Sequence, residues 1–423
     1  MLTPEENERL ARVGPGTPMG NLQRRYWHPV AIASEMDERW TKRVRLLGED
    51  LVLFKDRSGR LGLIAEACPH RRASFAYGIP TADGIRCPYH GWMFDGSGRC
   101  LEQPSEPEGS NFKDKVTTAG YPVRELGGLL WAYLGPLPAP AVPQLDGLVA
   151  TGTIRAIGQA TIPCNWLQIM ENSMDPVHTE WLHGHYFEFV REHEGLKVAL
   201  TRKHVKLAFD EFEYGIRKRR LLEGQREEDN DDWNIGHPVV FPNTLALGNF
   251  GEIWREYRFQ IRVPVDDTHT HHYWYSAFVP PPGSKPAPHL LEKIWAYDVP
   301  LFDRNGDFLV EVVYGQDVMA WVTQGGVADR SREALGWTDQ GIIAYRKMLA
   351  RELAAVERGE DPKNVIRDPH DDVVWQLPIE RIKHLRTDGF EALMRKHFVR
   401  FSPIIDDLVA LYADAGKGET ALA

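Results

Sequence analysis

The sequence predicts an α+β protein of two unequal parts, and three observations predict it. Residues 43–135 carry short strand patterns at hairpin spacing. The run Pro136-Leu137-Pro138-Ala139-Pro140-Ala141-Val142-Pro143 cannot continue a strand, and beyond it helical and strand-like patterns mix. At 423 residues the chain also exceeds what one hydrophobic core comfortably fills.

In order along the chain, a short helical pattern opens at Pro4 and turns through Gly14-Pro15-Gly16-Thr17-Pro18-Met19-Gly20, with a second helical turn within Met19–Trp27. That glycine spacing fits no dinucleotide fingerprint, and no strand leads into it. Val44–Leu47, Leu51–Lys55 and Leu61–Ala65 follow as strands, broken by Gly48-Glu49-Asp50 and Arg57-Ser58-Gly59-Arg60, and Gly127–Leu134 closes the set. In the larger part, 166–182 reads as helix, and strand-like runs lie near 197–220, 238–248, 252–264 and 270–280. Helical patterns return at 317–324, 339–358 and 403–415, and the acidic tract 223–232 reads as a solvated loop, with a lid as its functional alternative. The expected division is a 1–40 segment packing with the larger domain, a domain over 41–143 and another over 144–423.

Composition narrows the class. With 43% apolar and 26% charged residues, burial can stabilise the fold without cross-links. A formal net charge of -10 argues against a general nucleic-acid binder. No apolar run approaches membrane-spanning length, and the acidic start Met1-Leu2-Thr3-Pro4-Glu5-Glu6-Asn7-Glu8 is unlike a signal peptide, so a cytoplasmic protein is expected.

Four cysteines, Cys68, Cys87, Cys100 and Cys164, make no disulfide framework in a chain of this size. Two of them belong to a pattern: Cys68-Pro69-His70, then sixteen residues, then Cys87-Pro88-Tyr89-His90. One thiolate and one imidazole on each of two loops suit a two-iron cluster, where thiolates hold one iron and imidazoles hold the other and raise the potential. Zinc ribbons use C-x2-4-C pairs instead. Pro69 and Pro88 stiffen the loops, and Gly91 lets the chain turn away. Cys100 and Cys164 read as structural core residues.

A second constellation runs Glu171-Asn172-Ser173-Met174-Asp175-Pro176-Val177-His178-Thr179-Glu180-Trp181-Leu182-His183. Two histidines and a carboxylate on one face hold ferrous iron in non-haem oxygenases, with positions left open. His178 and His183 supply the pair, but five residues do not align on a straight helix, so a kink or helix end near Pro176 is expected. Asp175 precedes His178 by three residues and can reach a ligand histidine's free N–H. Alone, this segment would read as an amphipathic helix with surface histidines; His185 is surplus. The carboxylate must lie far downstream, where Asp317 opens a helical stretch.

Together these motifs resemble the Rieske non-haem iron aromatic oxygenases, and specifically terminal oxygenase α subunits of the phthalate dioxygenase-like group. C-x-H…C-x2-H is that family's cluster motif and E-N-x-x-D-x-x-H-x4-H its mononuclear-iron motif. Gln316-Asp317-Val318-Met319-Ala320-Trp321, followed by Gly325-Gly326 and Asp329-Arg330-Ser331, matches the segment that supplies the third ligand. The likeness begins at Gly14–Gly20 with Arg25-Tyr26-Trp27 and spans nearly the whole chain. Arg71 and Tyr89 stand where high-potential Rieske proteins carry an extra cysteine pair.

The resemblance implies a Rieske antiparallel β domain and a helix-grip (START-like) catalytic domain with an antiparallel sheet. It implies one [2Fe-2S] cluster on Cys68, His70, Cys87 and His90, and one mononuclear Fe(II) on His178, His183 and Asp317. It further implies head-to-tail subunits in a homotrimer or a multiple of three, with Asp175 bridging a cluster histidine (His90 by position) to His178 or His183 of the next subunit. No flavin or nicotinamide fingerprint is visible, so electrons from NAD(P)H must come through a separate flavin reductase, with or without a ferredoxin.

The group's substrates are aromatic carboxylates, which need cations near the pocket. Arg202, Lys203, Arg217, Lys218, Arg219 and Arg220 lie on predicted strands; alternation puts Arg217 and Arg219 on one face and Lys218 and Arg220 on the other. Arg217, Arg219, His204 and Trp254 are the substrate-binding candidates, with Trp233, His237 and Asn249 beside them. The chain looks similar to the O-demethylase oxygenases of methoxylated, lignin-derived biaryl acids. Ring hydroxylation or dihydroxylation of a phthalate-like or substituted benzoate is the alternative. A pure Rieske electron-transfer protein and a zinc-stabilised binding protein are the readings from other classes.

Overall fold

The structure, a computed structural model, describes residues 2–197, 199, 201–248, 254–368, 373–379, 391, 394, 395 and 397–419. It forms two compact units, one of Arg12–Pro143 with Val365–Val373, the other of Met1–Ala11, Gln144–Asn364 and Val374–Ala423. The first forty residues are therefore divided at Ala11, with helix α1 (Pro4–Ala11) in the larger unit.

The smaller unit is built of short strands: β1 (Trp27–Ile32), β2 (Thr41–Leu46), β3 (Glu49–Lys55), β4 (Leu61–Ala65), β5 (Ile79–Pro80), β6 (Ile85–Arg86), β7 (Met93–Phe94), β8 (Cys100–Glu102), β9 (Gly120–Tyr121), β10 (Val123–Leu126) and β11 (Leu129–Tyr133). They form three antiparallel sheets, β1-β11-β10, β2-β3-β4-β9 and β5-β6-β7-β8. The β2–β3 turn is tighter than its sequence suggests: Leu47 and Gly48, both at positive φ (50° and 78°), make the two-residue connection whose twist suits a hairpin. Val52, Phe54, Ile64, Phe75, Ile85, Trp92 and Phe94 pack with Cys68, Cys87 and Cys100 into one core.

The larger unit is organised on one eight-stranded sheet. Its strands are β12 (Ile154–Ile162), β13 (His204–Phe212), β14 (Gly215–Leu222), β15 (His237–Val240), β16 (Thr244–Leu247), β17 (Arg255–Pro264), β18 (Thr270–Val279) and β19 (Ile294–Asp298), in the order β13-β14-β15-β16-β17-β18-β12-β19. The sheet is not wholly antiparallel as expected: the edge strand β19 runs parallel to β12. β17 and β18 pair along their full length, from Arg255↔Val279 to Pro264↔Thr270.

Helix α2 (Trp166–Met174) is started by Asn165, whose side-chain oxygen accepts the Leu167 N–H at 3.0 Å. It packs on β17, and α3 (Val313–Val322) and α4 (Gln340–Glu357) pack on it; α5 (Ile405–Glu419) follows near the C-terminus. Trp274, Phe278, Ile169, Val318, Trp321, Phe398 and Leu408 share the core on this side. Each such side chain, fully buried, contributes roughly 1.5–3 kcal/mol. Among the described residues no helix is long and apolar enough to cross a membrane.

Candidate metal centres

The two cluster loops are copies of one backbone shape. In the first, the Cys68 N–H donates to the Ala73 carbonyl (2.9 Å) and the Arg72 N–H to the Cys68 carbonyl (2.8 Å); in the second, Cys87 and Trp92, then Gly91 and Cys87, repeat those bonds at 2.8 and 3.0 Å. Both loops reverse through a positive φ four residues after the cysteine, at Arg72 (66°) and Gly91 (77°). Glycine takes that conformation freely, and a Cβ on Gly91 would also stand 2.8 Å from the Pro104 ring. The sulfurs of Cys68 and Cys87 are buried, with the residues 1% and 2% exposed. Burial pushes the Cys68 thiol up to about 11, and Cys87 beside it adds to the shift. The His70 and His90 rings lie 4.5 Å apart at the unit's surface, with Trp92 stacked on His70 at 4.3 Å. Two adjacent buried sulfurs and two adjacent imidazoles, His70 exposed and His90 half-buried, are the donor set a cluster with thiolate and imidazole ends requires.

In the larger unit α2 stops at Asp175, whose backbone leaves the helical region (φ -100°, ψ 109°) ahead of Pro176. His178–Glu180 resumes as helix and widens into a π-helical turn over Trp181–Tyr186. The helix end near Pro176 is as expected, but the wider winding is what aligns the histidines, since i→i+5 bonding brings residues five apart over one another. The rings of His178 and His183 stand 5.1 Å apart. Asp317, in α3, faces them: its Oδ1 is 3.2 Å from His183 Nε2 and 3.8 Å from His178 Nε2. One donor atom from each of the three lies within 4.8 Å of the others.

The surroundings suit a cation. Asp317 Oδ1 is buried with no hydrogen-bond partner, an arrangement that costs free energy unless something else meets it. Burial would raise the Asp317 carboxyl, but His183, His178 and Arg262 together hold it below its usual range. Behind His183, Gln316 Oε1 lies 2.8 Å from Nδ1, while the Gln316 amide nitrogen donates to the Val310 carbonyl at 2.8 Å. Behind His178, Asp175 Oδ2 lies 3.7 Å from Nδ1, and Asp175 Oδ1 accepts the Val177 N–H at 2.7 Å. Asp175 also stays below its usual range: burial opposes this, but His178, the Val177 N–H and Lys218 outweigh it.

Two quoted motifs meet in the scaffold. Glu171 on α2 accepts from Arg330 Nη2 at 2.7 Å and from Arg346 Nε at 2.6 Å, and Arg330 also donates to Asn7 on α1 at 3.1 Å. Arg346 reaches on to Glu333. Asn7, Glu171, Arg330 and Arg346 are buried and Glu333 is half-buried, so α2 is clamped from both sides.

The substrate candidates fall in several places. Arg217 and Arg219 share a face, as alternation predicts, but it turns to Asp210: Arg219 Nε is 2.6 Å from that carboxylate and its guanidinium lies over Trp233. The opposite face turns toward the metal donors. Arg220 donates to Thr179 Oγ1 at 3.0 Å and pairs with Asp232 at 3.1 Å, and its charge acts on His183. Glu223, Gly224, Arg226, Glu228 and Asp229 are exposed, as a solvated loop predicts, while Asn230 and Asp232 anchor the end of the acidic tract in the interior. His204 donates its backbone N–H to Glu180 at 2.7 Å, and its Nδ1 lies 3.0 Å from the same oxygen. Trp254 is buried and donates to Glu256 at 3.2 Å, His237 sits 3.7 Å from Asp232, and Asn249 lies outside the described residues. The His185 ring lies against Trp181, centres 4.5 Å apart and tilted by 41°. Gln316 went unread although it adjoins Asp317; a ligand histidine's need for an outer partner was the available signal.

With both donor sets in view, the chain belongs to the Rieske non-haem iron oxygenases. It is a terminal oxygenase subunit, carrying one [2Fe-2S] cluster and one mononuclear iron. Residues 26–122 match the Rieske [2Fe-2S] domain family, and residues 162–355 match the vanillate O-demethylase oxygenase C-terminal domain family. The chain is 45% identical to the 5,5'-dehydrodivanillate O-demethylase oxygenase subunit of Sphingobium sp. (strain NBRC 103272 / SYK-6), across 95% of this chain and 93% of that protein. It is 34% identical to the phthalate 4,5-dioxygenase oxygenase subunit of Pseudomonas putida, across 85% and 88%. The terminal oxygenase of carbazole 1,9a-dioxygenase from Nocardioides aromaticivorans IC177 shares its fold, with a TM-score of 0.58 at 20% identity over 85% of this chain and 98% of that one.

Proposed function

We propose that this oxygenase subunit removes the methyl group of a methoxylated biaryl carboxylic acid. The observation that carries the reading is the near end-to-end likeness to a dehydrodivanillate O-demethylase subunit. The reaction converts an aryl methyl ether, one O2, two electrons and two protons into a phenol, formaldehyde and water. We propose further that His178, His183 and Asp317 hold the iron, that Cys68, His70, Cys87 and His90 hold the cluster, and that the two lie in domains of about 41–143 and 144–423. The working assembly is a homotrimer or a multiple of it, cytoplasmic, and fed from NAD(P)H by a flavin reductase with or without a ferredoxin. In it Asp175 links a cluster histidine of one subunit to the iron histidines of the next.

Bound iron supplies oxygen activation and substrate C–H oxidation. The chain's own groups do the positioning. Gln316, with its nitrogen committed to Val310, presents an acceptor to His183, so Nδ1 carries the proton and Nε2 is free to ligate. Asp175 keeps an ionised carboxylate 3.7 Å from His178 Nδ1, too far for a hydrogen bond but close enough to act on that ring's charge. Glu171 with Arg330 and Arg346 holds the base of α2 still while these groups work.

The test is formaldehyde release from methoxylated aromatic acids by iron-loaded protein with a reductase. A diol from phthalate-like acids, without formaldehyde, would sink the demethylase reading and favour ring oxidation, which the 34% identity to a phthalate dioxygenase subunit keeps in play.

A further inference from the structure

Arg262 lies on β17, fully paired into the sheet, and is 1% exposed. A guanidinium keeps its charge, and a buried charge is ordinarily paired. Here the contacts are Gln260 Oε1 at 2.6 Å, the Gln260 carbonyl at 3.1 Å and Met170 Sδ at 3.9 Å. Its Nε has no partner, and among the described residues no carboxylate forms an ion pair with it.

Its setting points toward the metal donors. The cross-strand neighbour of Arg262 is His272, fully buried, with neither ring nitrogen partnered. His272 lies parallel to Trp321, ring centres 5.8 Å apart, and Trp321 is one turn beyond Asp317 on α3. Burial lowers the Arg262 guanidinium to about 9, and the negative charge that acts on it most is Asp317. Burial, then Arg262 itself, keeps His272 neutral, so that ring does not add to the charge.

We propose that Arg262 is a positioning residue of the iron centre, a fixed positive charge buried against Met170 of α2 and beside the His272–Trp321 contact with α3, that favours the ferrous over the ferric ion. The inference rests on His178, His183 and Asp317 holding the iron. A neighbouring cation repels a triply charged ion more than a doubly charged one, and dry surroundings strengthen the difference. With Gln260 pinning the guanidinium, the charge cannot swing away to water.

The experiment is an anaerobic redox titration of the iron-loaded enzyme, following the high-spin ferric EPR signal with the cluster signal as internal reference. Arg262→Met should raise the ferric-to-ferrous ratio at a fixed potential about tenfold, equivalent to a midpoint about 59 mV lower. Arg262→Lys should stay within about threefold of wild type, or roughly half that logarithmic shift. Gln260→Glu sets a carboxylate on the guanidinium without removing it, so it should shift the ratio in the same direction as Arg262→Met even if that variant folds poorly. An unmoved midpoint in Gln260→Glu and in any Arg262→Met that keeps its iron overturns the inference. A wild-type protein with no ferric signal after iron loading overturns the metal assignment, and the inference with it.

Discussion

Gln316 Oε1 lies 2.8 Å from His183 Nδ1, and the same side chain's nitrogen is held by the Val310 carbonyl at 2.8 Å. A buried amide with its donor end already used presents only an acceptor, so one residue decides the tautomer of its neighbour.

Replacing that amide should loosen the metal. Gln316→Leu is predicted to weaken iron retention about 10–100-fold, while the visible spectrum of the cluster stays unchanged. Iron retained after equilibration with a graded chelator measures it. Retention equal to wild type would mean that packing alone orients His183.

The clamp on α2 should be a stability element. Glu171→Gln removes the carboxylate between Arg330 and Arg346, both buried. Breaking a buried pair from one side is predicted to cost about 3–5 kcal/mol. Denaturant unfolding of the iron-free protein would show it as a lower midpoint at unchanged slope. A loss below about 1 kcal/mol would mean the network behaves like a surface pair.

Acid should weaken the smaller unit through one histidine. Burial, with only partial relief from the Gln23 carbonyl, lowers His28 from 6.5 to about 4. Between those values the unfolded chain binds a proton that the folded chain refuses, so stability rises with pH across the window. The contribution is complete above pH 6.5 and lost as pH falls toward 4, and lowering the group that far corresponds to about 3 kcal/mol. Urea unfolding at pH 7.5 and pH 5 should show a smaller acid loss in His28→Gln. Equal losses would place the acid sensitivity elsewhere.

All four thiols are buried, and burial raises Cys100 and pushes Cys164 up to about 12. Native, cluster-loaded protein is therefore predicted to resist iodoacetamide at pH 8, with mass spectrometry finding no adduct; denaturation should expose all four cysteines. Removing the cluster anaerobically should open Cys68 and Cys87 first. Early labelling of Cys164 would contradict its place in the core.

What could be read in the chain was local. The cluster pairs sit two and three residues apart within their loops, and His178 and His183 share one segment, so spacing alone brings each set close. Alternation on β14 separated Arg217 and Arg219 from Lys218 and Arg220, as the strand later showed. Which face meets the metal donors depends on the order of eight strands, and no local pattern encodes that, so the arginines chosen were those turned to Asp210. Asp317 was reachable only through resemblance, since nothing in its own surroundings marks it among the chain's acidic residues. Arg262 gave no signal at all: its isolation follows from burial against Met170 and from the register that sets it beside His272. Glu171 and Arg330 both stood in quoted motifs, but their meeting across the sequence needed coordinates.

The π-helical turn at Trp181–Tyr186 is where this segment takes up one residue more than a regular helix would hold. Ordinary helical winding advances about 100° per residue, so on a regular helix residues four apart share a face and residues five apart do not. A segment one residue shorter before His183 would therefore close into regular winding with the two histidines four apart and still on one face. Spacing and winding compensate each other here, so a chain with four residues between its histidines and one with three can present the same pair.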